Sequence, residues 1–169
     1  MSFFETLVAA TATERAAFAA IPQIRDGLAG RISRDTYVAY LAQAYHHVRH
    51  TVPLMQAARA RLDDDHAVFK AALDDYIAEE TGHEQWILND ISACGGDAEQ
   101  VRDGQPSLPI ELMVSFLYDL VARGNPVGLF GMVNVLEGTS IALATHAAGS
   151  IRERLHLPET AFSYLSSHG

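Results

Sequence analysis

Apolar residues recur at intervals of three and four along almost the whole chain, and no segment sustains the period-two alternation of a half-buried strand. The sequence therefore predicts an all-α fold, a single domain built as a bundle of about six to seven helices. No internal repeat, low-complexity tract or long linker divides the 169 residues. Ser2 with Glu5 three residues later reads as a capping box that opens a helix over 2–20. Pro22 and Gly30 bracket a short one. Ser33 caps a helix of roughly 34–62, and Asp63-Asp64-Asp65 precedes one of about 66–94 that Gly95-Gly96 stops. Pro109 opens a helix to about 122, and Asn125-Pro126 starts another that runs to about 155 before Pro158 breaks it. The segment from Tyr164 to Gly169 reads as a helix end or the entry to another helix.

Some of these apolar stripes carry the wrong residues. In the register of 69–94 the stripe is Phe69, Leu73, Tyr76, Ile77, Ile87, Ile91 and Cys94, and Glu80 and Glu84 fall on it. An unpaired carboxylate there would be costly to desolvate, so a partner is expected. His83 stands three residues after Glu80, and Glu-x-x-His on one face lets two donors reach one metal ion. In the later helix, steps of three and four from Val127 give Phe130, Asn134, Glu137, Ile141, Ala144, Ala148 and Ile151. Glu137 is thus in register with the core, with Gly131 and Gly138 leaving space nearby. Its duller role would be a hydrogen bond to Asn134, a tyrosine or a capping amide. The third stretch is Tyr45-His-His-Val-Arg-His-Thr-Val-Pro53. His47 continues the core-facing line Tyr40, Ala44 and Thr51, His50 lies on its flank, and His46 is expected at the surface, more exposed than His47. Pro53 removes one helical hydrogen bond and predicts a kink beside the histidines.

Three helices therefore each offer a metal-competent side chain: His47 or His50, Glu80 with His83, and Glu137. A mixed oxygen and imidazole set suits iron or manganese better than zinc. Other matches read as decoys. Glu153-Arg-Leu-His156 is out of register with Ile151 and Leu155, Asp63 to His66 is better explained as capping, and His146 faces away from Glu137. Cys94 reads as a small buried apolar residue.

Composition narrows the partners. A formal net charge of −9 without a basic cluster argues against nucleic acid. No apolar run is long enough to span a membrane, and the start Met-Ser-Phe-Phe-Glu lacks the pattern of a signal peptide. A single cysteine is in keeping with the expected cytoplasmic location.

The three stretches Tyr45–Pro53, Glu79-Glu-Thr-Gly-His-Glu84 and Val135-Leu-Glu-Gly-Thr139 together resemble the heme-oxygenase-like, TenA/PqqC-type helical superfamily, and within it the branch of non-heme di-iron oxidases. Glu80 and His83 match the Glu-x-x-His of that branch, and Glu137, 54 residues after His83, matches its later Glu. The early helix, where the family often has Glu, offers His47 and His50 instead. The resemblance implies iron in one or two copies (manganese in its place), dioxygen, a small organic substrate such as an amino acid or a fatty acid, and a homodimer. The family pattern closes with Asp-x-x-x-His or a similar pair on a last core helix, which counts out at or just past Gly169, so the chain is expected to lack that helix and to hold at most one iron. The alternatives are a metal-free small-ligand-binding protein of the same fold and a thiaminase-like enzyme, whose relatives use a cysteine nucleophile.

Overall fold

The computed structural model describes residues 2–167, with the backbone alone for 139–142. The chain is all helical, with no strand among the described residues. Its α-helices are α1 (Phe3–Ala10), α2 (Ala12–Ala19), α3 (Pro22–Leu28), α4 (Arg34–Val48), α5 (Thr51–Arg61), α6 (Ala67–Glu80), α7 (His83–Ala93), α8 (Ala98–Asp103), α9 (Leu108–Arg123), α10 (Leu129–Leu155) and α11 (Ser163–Ser167). The capping box of Ser2 and Glu5 forms as expected. No single helix is long and apolar enough to cross a membrane among the described residues.

Three helices expected to be continuous are divided. The helix over 2–20 breaks at Thr11. The helix over 34–62 breaks at Arg49 and His50, and Pro53 lies in the first turn of α5. There its missing N–H is no loss, because the first N–H groups of a helix lack partners anyway. The helix over 66–94 breaks at Thr81 and Gly82. Thr81 is extended at ψ 115°, and Gly82 takes φ +99°, a left-handed conformation that side-chain-bearing residues resist. Glu80 is consequently the last residue of α6 and His83 the first of α7, not two positions on one helical face.

These breaks distribute the bundle over two apolar cores. One gathers Tyr37 and Leu41 from α4, Ile87 and Ile91 from α7, Ala148 and Ile151 from α10, and Phe162. The other gathers Leu54 and Met55 from α5, Leu73 from α6, Leu117 and Val121 from α9, and Leu129 at the start of α10. The pairs α4–α5 and α6–α7 each change core at their break, and α10 runs through both. Glu80, His83, the 47–50 histidines and Glu137 all lie where the chain passes from one core to the other. The polar residues occupy a seam.

The C-terminal segment is held against the first core by directed bonds. The Tyr37 hydroxyl donates to the Ala161 carbonyl at 2.9 Å, and its ring stacks on Phe162 with centroids 5.1 Å apart. Asp90, fully buried on α7, accepts the backbone N–H groups of Ser163 and Tyr164 at 3.0 and 2.9 Å. Burial raises the Asp90 carboxyl above its ordinary range, against the opposing pull of those two N–H groups.

Candidate functional site

The centre of the site is the break between α6 and α7. The Glu80 and His83 side chains are both buried there, and His83 Nδ1 lies 3.1 Å from Glu80 Oε2. The His83 ring also lies against Trp86, with centroids 4.2 Å apart. With Nδ1 turned to Glu80, ligation by His83 would fall to Nε2. The break aids the carboxylate: Glu80 sits beside the positive N-terminal end of α7, not within a continuous helix.

Two phenols tie Glu137 to this pair. Burial raises the Tyr76 hydroxyl first, followed by the charges of Glu137, Glu79 and Glu80. Tyr164 is raised by burial, then by Tyr40, Glu137 and Glu80. Both carboxylates on α6 and α10 thus act on the same two hydroxyls. Tyr40 retains 46% of its surface, and burial of its ring against Tyr37 and the helices around it pushes its hydroxyl up to about 12. These phenols stay protonated at neutral pH and can donate hydrogen bonds into the site. Tyr164 does not stand out in the sequence because the helix that carries it, α11, is short and lies beyond Pro158. Nor does Asp90, although its register with Ile87 and Cys94 places it on the buried stripe.

At the end of α4 and the break that follows it, the three histidines part company. His47 is half-buried, and its Nε2 is sealed from solvent without a hydrogen-bond partner among the described residues. An unmet buried nitrogen costs about 1–3 kcal/mol, so this one is suited to a ligand. Burial, and then His50, lower its pKa to about 4, which keeps the ring neutral and its lone pair available. His46 is the reverse of the expectation. It is only 5% exposed and is more covered than His47, because α8 and the loop after it, which the sequence reading did not foresee, close over that side. His50 is half-buried and pairs with another helix, its Nδ1 3.2 Å from the Tyr118 hydroxyl on α9.

The remaining assignments are simple. Glu84 is half-buried in the first turn of α7, while His146, Glu153 and His156 are exposed. His66 pairs with Asp63 at the surface, and Ile141 lies outside the described side chains. Cys94 is buried, and burial together with Asp90 pushes its thiol up to about 11, the opposite of what a nucleophile needs.

A family of proteins described as iron-containing redox enzymes matches residues 38–169. The chain belongs to that family. Its fold is the heme-oxygenase-like one. A domain of unknown function with that fold from Shewanella denitrificans superposes with a TM-score of 0.87 at 24% identity, covering 99% of this chain and 72% of its own. A TenA homolog from Pseudomonas syringae pv. tomato gives 0.83 at 13% identity, over 98% of this chain and 71% of its own. No curated protein matches the sequence. The donor types at the seam, two carboxylates and two imidazoles, are those that iron accepts. No three of the described histidine, cysteine, aspartate and glutamate side chains stand as a ready-made cage for a cation. The fit to this iron-containing redox family therefore rests on the Glu80–His83 pair, the orphaned nitrogen of His47 and the shared surroundings of Glu137.

Proposed function

We propose that the chain is a non-heme iron oxidase or oxygenase that uses dioxygen to oxidise a small organic substrate, an amino acid or a fatty acid being the class its resemblance favours. Glu80, His83 and Glu137 are assigned as ligands, with His47 as the imidazole from α4 and His50 at the edge through Tyr118. Iron bound there supplies the oxygen chemistry. The chain's own part is positional. The break at Thr81-Gly82 sets Glu80 against His83, and the two flanking cores keep bulk water from the seam. Tyr40 and Tyr164 keep their protons and would orient an oxygen atom by donating to it.

The observation that carries this reading is the buried Glu80–His83 pair at the break between α6 and α7, together with the sealed Nε2 of His47 that has no partner among the described residues. A buried carboxylate with imidazole nitrogens around it is a donor set that suits a cation. Four protein ligands suit one iron better than two. The test is anaerobic titration of chelator-treated protein with ferrous iron, followed by oxygen uptake on exposure to air. About one iron per chain is expected, with most of it lost in E80Q, H83A and E137Q. Folded variants that bind iron as the parent does would refute the assignment. A parent that takes up no iron would favour the metal-free reading.

A further inference from the structure

We propose that the cavity between the C-terminal end of α4 and the start of α9 binds a small, singly charged carboxylate, held by Arg49, His46 and His50 and screened by Glu111. The cavity has a volume of about 190 Å³ and is bounded on its other side by Gly104, Gln105 and Pro106. At about 30 Å³ per water, that is the space of about six waters, enough for an organic acid of acetate to small amino-acid size.

Four observations carry the inference. First, His46 is 5% exposed and lines the cavity, yet its ring has no hydrogen-bond partner among the described residues. Second, Arg49 has no ion-pair partner among the described residues, and its guanidinium rests over the Tyr45 ring at 5.5 Å from the centroid. That leaves its planar fork of donors for a carboxylate. Third, His50 also lines the cavity, and its Nδ1 contact with the Tyr118 hydroxyl fixes the ring there. Fourth, the wall is pinned in place, since the Ser107 N–H donates to Gln43 Oε1 on α4 at 2.9 Å. Gly104 also keeps this wall thin: a Cβ there would stand 2.8 Å from the Gln100 carbonyl oxygen and 3.9 Å from His46 Nε2.

Glu111 sets the charge of the ligand. It lines the same cavity and lies close enough to His50 to act on it electrostatically. Glu111 opposes the charge of Arg49 at the cavity, so a dianion such as phosphate would be repelled more strongly than a single carboxylate held on the guanidinium fork. The cavity lies beside the seam and shares His50 with its edge, but Arg49, His46 and Glu111 are not among the assigned iron ligands.

The test follows the imidazole resonances of His46 and His50 in the full chain by NMR at fixed pH and ionic strength. Sodium acetate is titrated against chloride and against inorganic phosphate. Acetate is expected to shift both rings saturably, with phosphate weaker. R49Q, at an exposed position, is expected to weaken acetate at least tenfold. R49K keeps the charge without the fork and should fall between. E111Q should raise phosphate binding to the level of acetate or above. Shifts that do not saturate, that chloride reproduces, or that R49Q leaves unchanged would overturn the proposal. So would phosphate binding the parent as tightly as acetate.

Discussion

Gly82 offers the sharpest test of how the Glu80–His83 pair is made. Its φ is +99°, and a Cβ built there meets no atom within 4 Å, so G82A introduces a torsional cost and nothing else. The left-handed region costs an L-residue about 1–2 kcal/mol, while the stiffer unfolded chain returns about 0.4–1. The net loss should be at most about 1.6 kcal/mol, which for a domain of this length lowers Tm by up to about 6 °C. G30A is the control. Gly30 also has positive φ, at +63°, but its Cβ would stand 2.7 Å from the Ser150 carbonyl oxygen on α10. The overpacking there adds about 1–3 kcal/mol, because backbone and not a flexible side chain must move. G82N should recover part of the loss, since asparagine tolerates this region better. Calorimetric melts of the four proteins decide the matter, and iron titration of G82A should show weaker uptake as His83 is displaced. If G82A melts at or below G30A, the break is not the hinge described above.

Three further outcomes follow from side chains already placed. H47L removes a buried nitrogen that lacks a partner, so metal-free protein should be unchanged or stabilised by about 1 kcal/mol in urea melts, while iron uptake falls. Y37F deletes the bond to the Ala161 carbonyl and should cost about 1 kcal/mol, read as faster limited proteolysis near the C-terminus. Asp90 gives a pH signature. Because its carboxyl is raised from 3.8, its protonated form is favoured in the folded state. Its stabilising contribution is therefore present below 3.8 and is lost as pH rises through the raised value. The stability of the parent relative to D90N should accordingly be greatest at the acid end and decline with rising pH, measured by denaturant midpoints from about pH 4 to 8.

The helical fold was readable because three-and-four periodicity and capping residues are local signals. Glu80, His83, Glu137 and His47 stood out because polar side chains on an apolar stripe contradict their own register. What stayed hidden was set by contacts distant in sequence. Gly82 looked like one tolerable glycine inside a long amphipathic run, and only the diverging demands of two cores make it a break. His46 looked like surface by its angle on α4, and the cover over it comes from a segment more than fifty residues later. Asp90 and Tyr164 acquire their roles from each other, a carboxylate on α7 capping the backbone that carries the phenol, and no short-range pattern announces such a pair.

The seam has a thermodynamic consequence. Each apolar core can in principle open as its own unit, since few groups other than the polar seam residues and α10 belong to both. A ligand that bridges α4, α6, α7 and α10 binds only when both units are closed, so it stabilises their union and not either one alone. Without it, hydrogen exchange should report two protection levels, one for α5, α6 and α9 and another for α4, α7 and α11. With it, the two levels should merge into one, and the site would then serve as the clasp that turns two cooperative units into a single one.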